Sequence, residues 1–170
     1  MLKVLIQKYK LHRDPIKYWR SKGVIIGERC EIYSSASFGS EPYLISLGDH
    51  VRVNSGVNFV THDGGVWVLR DCHEDLKEID LFGKISVGNN VHIGTNALIM
   101  PGVAIGNNCI IGCGAIVTKN IPDNSIAVGI PARVIETIDD YTSKHINDFD
   151  RTKVLSRTEK EGYLKKKFSI

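Results

Sequence analysis

From Val87 onward the chain repeats every six residues: VGNNVH, IGTNAL, IMPGVA, IGNNCI, IGCGAI, VTKNIP. The first position is Val87, Ile93, Ile99, Ile105, Ile111 and Val117, aliphatic every time. With aliphatic residues near one position in four, chance gives this about once in several thousand windows. The second position is Gly in four of the six, and the fifth (Val91, Ala97, Val103, Cys109, Ala115, Ile121) is small or β-branched. An amphipathic helix does not recur every six residues, so the period argues for short strands joined by tight corners. The first and fifth residues should point inward, with Gly and Asn at the corners because both tolerate positive φ. Three such faces make a triangular turn of 18 residues, and turns stack at strand spacing, about 4.8 Å.

The pattern extends upstream through Ile26, Ile32 and Phe38 and, after three extra residues, through Leu47, Val53 and Phe59. Downstream it is expected to continue at Val128 and Val134. Coils therefore begin near residues 26, 47, 87, 105 and 128. Cys30 and Cys109 fall on inward fifth positions and read as small core filler; Cys113 falls in a corner. Asp14-Pro15 before IKYWRSKG reads as the N-cap and first residue of a short helix. Residues 139–170 carry no hexad and read as terminal helix. The predicted fold is an all-β solenoid, a parallel β-helix with short N-terminal and C-terminal helices and one long inserted loop. It forms a single domain over 1–170, with a cap at 1–23, coils at 24–138 interrupted by a loop at 60–86, and a C-terminal segment at 139–170.

Composition narrows the class. With 42% hydrophobic and 24% charged residues the chain is neither disordered nor collagen-like. No apolar run approaches the roughly 20 residues that span a bilayer. The N-terminal stretch is broken by Lys3, Lys8 and Lys10, unlike a signal peptide. Four Cys with no CxxC pair read as reduced thiols, so a cytoplasmic location is expected. Net charge is +3 but uneven. Residues 1–22 hold seven Lys/Arg and one acid, residues 151–170 seven and two, and the middle eight and sixteen. Basic ends on an acidic body can attract anionic lipid, giving peripheral membrane contact, or an acidic polymer; they can also be solvated helical faces or fold back onto the acidic body. No nucleic-acid motif is present.

The run from Val87 to Val134, ending in IGNNCIIGCGAIVTKNIPDNSIAVGIPARVI, resembles the hexapeptide-repeat acyltransferases. DPIKYWRSKG, FGSEPYLISLGDHV and FVTHDGGVW look most like the subgroup that O-acetylates bacterial capsular and cell-surface polysaccharides. The resemblance covers about residues 14–140. It implies a left-handed coil, acetyl-CoA as co-substrate without a metal, a sugar acceptor, and a homotrimer in which the 60–86 loop helps to cover a neighbour's active site. It places His62 as the catalytic base. His92 stands where many members carry Trp, as a pantetheine neighbour or a plain surface His. Thr95 and Cys113 match positions along the pantetheine arm, with the Thr95 amide a candidate oxyanion donor. Thr118, Lys119 and Arg133 match positions near the nucleotide end, where Lys and Arg suit phosphate.

The residues themselves support one further pairing. His62 is three past the face start at Phe59, and Glu41 is three past Phe38, one coil earlier. Stacking should bring them to one corner, where Glu41 could orient His62 or bind an acceptor hydroxyl, or could be a plain exposed Glu. Asp63 is a second candidate for the same role. His73 and Trp67, in the loop, are candidates to touch substrate. Rival readings are an N-acetyltransferase of an amino sugar nucleotide, a small-molecule acetyltransferase, a zinc enzyme, for which His62, His73 and His92 lack the closely spaced pair with a third ligand one coil away, and a non-catalytic scaffold.

Overall fold

The computed structural model describes residues 2–170. The chain, expected as a single domain over 1–170, forms two compact units, Met1–Asp139 and Asp140–Ile170.

In the first unit, α1 (Leu2–Arg13) and α2 (Pro15–Arg20) lead into thirteen short strands in three sheets. The first sheet holds β1 (Ile25–Ile26), β3 (Ile45–Leu47), β6 (Ile85–Val87) and β9 (Ala104–Ile105). The second holds β2 (Glu31–Ile32), β4 (Val51–Val53), β7 (Val91–Ile93), β10 (Cys109–Ile111), β12 (Ser125–Val128) and β13 (Arg133–Thr137). The third holds β5 (Asn58–Phe59), β8 (Leu98–Ile99) and β11 (Ile116–Val117). From β6 to β11 the chain visits the three sheets in strict rotation, and each named strand pairs in parallel except β12 with β13.

Register follows the period. Ile26, Leu47, Val87 and Ile105 stack in the first sheet, Ile32, Val53, Ile93 and Ile111 in the second, and Phe59, Ile99 and Val117 in the third. A bridge between Ser37 and Asn58 carries Phe38 under Phe59, with ring centroids 4.7 Å apart. All these first positions are buried, and they form one continuous core. Truncating a fully enclosed member such as Ile93 to Ala would cost about 2–5 kcal/mol. Asp14 caps α2 by accepting from the Lys17 amide (2.9 Å). Trp19 of α2 then lies 4.8 Å from the Phe38 ring and extends the aromatic column at this end.

The corner between the first and second sheets is a polar ladder. Asp49 Oδ1 accepts from the Glu28 amide, Asn89 Oδ1 from Asp49, Asn107 Oδ1 from Asn89 and Asp123 Oδ1 from Asn107, at 2.8–2.9 Å. Beside it Asn90, Asn108 and Asn124 hold φ of 53–57°, with Asn90 Nδ2 donating to Asn108 Oδ1 and Asn108 Nδ2 to Asn124 Oδ1, both at 2.9 Å. Asn thus supplies the positive φ expected of the corners, as do Gly56, Gly102 and Gly114 (φ 68–80°). The glycines at second positions act otherwise: a Cβ at Gly94 would lie 2.6 Å from the Cys113 amide nitrogen, so Gly there permits close stacking of coils.

Departures from six-residue spacing all fall at the corner between the third and first sheets. Three extra residues separate Phe38 from Leu47. The long loop separates Phe59 from β6, whose Ile85 already lies in the core, so the loop closes two residues before its expected end. At Thr118–Asn120 the chain is two residues short: Ile121 bridges to Ile105 and takes a first position, not the expected fifth. Ala127 therefore pairs with Ile111, where Val128 was expected, and Ala132 fills the core while Val134 is exposed. The last coil does not continue, because β13 turns back antiparallel along β12. Cys30 and Cys109 are buried filler, and burial leads in raising the Cys109 thiol pKa.

The second unit holds the end of α4 (Ile138–His145) and α5 (Arg157–Phe168). Ser156 and Glu159 form a reciprocal capping box on α5. Asp150 accepts from Tyr163 Oη and Lys167 Nζ.

Candidate active site

The long loop is closed at its base like a hairpin. His62 and Phe82 form an antiparallel bridge, the Asp63 amide donates to Leu81 O (2.8 Å) and the Gly83 amide to Thr61 O (2.8 Å). Within it lies a short helix, α3 (Val66–Cys72), which the sequence pattern did not reveal. Arg70 ties α3 to the returning strand through Ile79 O and an ion pair with Asp80. This closure fixes the backbone of Thr61 and His62 just beyond β5.

Three extra residues bring Ser40 and Glu41 to the same corner one coil earlier. Glu41 Oε2 lies 3.2 Å from His62 Nδ1. The same oxygen accepts from Thr61 Oγ1 (2.6 Å) and Ser40 Oγ (2.9 Å), and Ser40 Oγ stands 3.1 Å from His62 Nδ1. Thr61 is wholly buried, whereas the His62 side chain is 46% exposed. A Cβ at Gly39 (φ +66°) would come within 3.0 Å of the Thr61 hydroxyl, so the glycine leaves room for this contact. The Thr61 hydrogen bond leads in holding the Glu41 carboxyl below its ordinary 4.5; burial opposes it, and Ser40 and His62 add to it. Both oxygens facing Nδ1 are acceptors, because the Ser40 proton is directed at Glu41. The network therefore assigns the proton to Nδ1 and leaves the Nε2 lone pair directed away from it. Ser40 and Thr61 were not singled out from sequence; their signal is position, next to Glu41 and His62 at one corner.

The other expected residues are distributed as follows. Asp63 does not serve His62: its Oδ1 accepts from the Gly65 amide (2.8 Å) and closes a turn. His73 is exposed between α3 and a 3-10 turn, and Trp67 on α3 is 72% exposed. His92 faces outward in β7 beside Arg52, with Nε2 3.1 Å from Asn54 Nδ2. Burial first, then the Arg52 charge, holds its pKa below 6.5, so it sits as a neutral acceptor. His62 and His92 thus occupy a corner and a sheet face. Among the described residues no group of three His, Cys, Asp or Glu could hold a metal ion.

Thr95 and Cys113 stack at the corner between the second and third sheets, where the Gly114 amide donates to Thr95 O (2.8 Å). Both are exposed, and a Cβ at Gly114 would meet nothing within 4 Å, so this corner is open. Thr118 and Lys119 share the Glu41–His62 corner, two coils on and about 10 Å away along the stack. Arg133 is exposed, with Nη1 donating to Ala132 O (2.9 Å). Of the expected cofactor residues, Thr95 and Cys113 thus lie at one corner and Thr118 and Lys119 at another, separated by the third sheet, while His92 and Arg133 lie in the second sheet.

Comparison with known proteins agrees with this architecture. The bacterial transferase hexapeptide family (six repeats) matches residues 84–119. Protein CapG of Staphylococcus aureus is 50% identical over 165 residues, covering 96% of this chain and 92% of that protein. Galactoside O-acetyltransferase of Escherichia coli K12 is 41% identical over 101 residues, 59% of this chain and 47% of that protein. A solved galactoside acetyltransferase in complex with coenzyme A superposes with a TM-score of 0.60 at 26% identity, over 84% of this chain and 82% of that one. Repeat, register and relatives lead to one assignment: the chain belongs to the bacterial hexapeptide-repeat transferases.

Proposed function

We propose that this chain is an acetyl-CoA-dependent O-acetyltransferase acting on a sugar hydroxyl of a surface or capsular polysaccharide or its precursor, with His62 as general base. The observation that carries the reading is the Glu41–His62 contact, which engages Nδ1 of a half-exposed ring and leaves Nε2 as the nitrogen that would take a proton. Nε2 removes the acceptor's hydroxyl proton as its oxygen attacks the thioester carbonyl. The tetrahedral intermediate collapses, the CoA sulfur leaves, and the imidazolium returns the proton to it. Glu41 stabilises that imidazolium and keeps the ring in the productive tautomer. The Thr95 amide is the candidate oxyanion donor.

Coenzyme A suits the residues present. Lys119 and Arg133 have no acidic partner among the described residues and are available to phosphate. The open Thr95–Cys113 corner leaves space for the pantetheine arm. A sugar acceptor is supported by the galactoside O-acetyltransferase relative, and the surface-polysaccharide class by the FGSEPYLISLGDHV and FVTHDGGVW resemblance. We read the three-sheet stack as a left-handed β-helix. We read the assembly as a homotrimer, because the two cofactor corners lie on different edges of one chain and a neighbour can bring one against the other. The exposed Trp67, Val68, Leu69, Leu81 and Phe82 of the loop would be covered there.

The test is mass spectrometry of sugars and sugar nucleotides incubated with protein and acetyl-CoA. Acetylation of a hydroxyl that is lost in His62→Ala is the expected result. Acetylation of amines only, or equal product from the variant, would overturn the reading.

A further inference from the structure

The two N-terminal helices have a side that the coils do not use. Ile16 and Trp19 of α2 pack on the core and Arg20 reaches the carbonyls of Ile26 and Gly27, so one side of α2 is fastened to the body. His12 of α1 approaches Ser34 (3.4 Å). The opposite side of α2, with Lys17, Tyr18 and Ser21, joins Ile6, Tyr9, Lys10 and Arg13 of α1 and the linking Asp14 around an open groove of about 690 Å³, three cations against one carboxylate. Along α1, Val4, Leu5, Ile6 and Tyr9 are 45–63% exposed.

The groove is apolar and cationic together. The one acid of residues 1–22, Asp14, is occupied in capping α2. Lys10, Arg13 and Lys17 have no acidic partner among the described residues. The acidic middle of a second copy is a poor complement, because its carboxylates are largely engaged at home. Glu28 pairs with Arg20, Glu31 with Arg52 and Asp80 with Arg70, and Asp49 and Asp123 serve the corner ladder. A soluble polyanion would satisfy the cations but leave Leu5, Ile6 and Tyr9 in water. An amphiphilic anionic surface satisfies both.

We propose that the α1–α2 surface docks this protein on an anionic lipid bilayer. Leu5, Ile6 and Tyr9 enter the headgroup region, and Lys10, Arg13 and Lys17 neutralise lipid phosphates while their stems lie along the apolar surface. The bilayer meets the side of the helix pair opposite the coil core.

Flotation of the full-length protein with vesicles tests this independently of any acetyl transfer. Recovery is expected with phosphatidylcholine doped with phosphatidylglycerol, not with phosphatidylcholine alone, and should fall as salt rises. Lys10→Gln/Lys17→Gln should lower the partition coefficient by roughly 25-fold, about fivefold per cation. Leu5→Ser/Ile6→Ser, at unchanged charge, should reduce it similarly. Equal recovery on both vesicle types overturns the proposal, as does salt-insensitive binding, measured on wild-type protein alone. A serine variant that binds like wild type identifies a polyanion groove instead. Vesicle-free self-association lost in both variants, without lipid binding, identifies a second copy as the occupant.

Discussion

Glu41 and His62, 21 residues apart in sequence, meet at 3.2 Å because their coils stack with a 21-residue register, Ile26 on Leu47 and Ile32 on Val53. Removing the imidazole should therefore remove chemistry and leave the coil intact. His62→Ala is expected to lower kcat by roughly 10²–10⁴ with acetyl-CoA binding nearly unchanged. Wild-type turnover in that variant would remove His62 from the mechanism.

Thr61 acts on the same pair from below. Its hydroxyl is the leading cause of the lowered Glu41 pKa. A lowered carboxyl stabilises the fold above its unfolded value, and that contribution disappears as pH falls through the folded value. In Thr61→Val the Glu41 pKa should rise toward 4.5, and acid unfolding should begin at higher pH. Thr61→Ser should restore both. An NMR titration of the Glu41 carboxyl reads this directly; an unmoved midpoint in Thr61→Val would mean the hydroxyl does not hold the carboxylate.

His92 gives a second pH signature of its own. Its folded pKa is depressed, so the unfolded chain takes up a proton that the folded chain resists as pH drops below about 6.5. Stability should decline over that interval in wild type and decline less in His92→Gln. Denaturant unfolding between about pH 7 and pH 5 measures the two slopes, and identical slopes would exclude His92 as their source.

Arg133 is proposed to meet the nucleotide end of the cofactor. A contact far from the reacting carbonyl binds ground and transition states alike, so Arg133→Ala should raise KM for acetyl-CoA more than it alters kcat. An unchanged KM would leave Arg133 as a solvated charge.

The proposed trimer gives the loop a role in assembly. Replacing residues 65–82 by a short Gly/Ser link should leave the coils folded, abolish transfer and weaken a trimer of about 57 kDa, three times the 18.9 kDa chain. Light scattering at micromolar concentration checks the mass. A fully active monomer would contradict a site shared between subunits.

The inward residues were legible because the period is a property of local spacing. Every first position from Ile26 to Val117 lies in the core. The same counting brought Glu41 to His62. It could not see the two-residue deletion at Thr118–Asn120, because Ile126, Ala127 and Val128 are all apolar and any of them could begin the next six. Nor did it find α3, which has only seven residues and no side-chain cap; Arg70 and the loop closure hold it instead. Thr61 and Ser40 were missed for a different reason: a hydroxyl gains a role only once a carboxylate from another coil stands beside it.

The three corners differ in what they tolerate. At the ladder corner each side-chain oxygen serves the coil before it, so an added residue would displace every contact above it. At the Glu41–His62 corner three, twenty-two and minus two residues have been accommodated without moving the stack, as the shared registers of Leu47, Val87, Ile105 and Ile121 record. There, lengthening a loop costs mainly closure entropy, about 0.6 kcal/mol per doubling. Grafts between Thr61 and Gly83 can therefore change the loop while His62 and Glu41 stay in place.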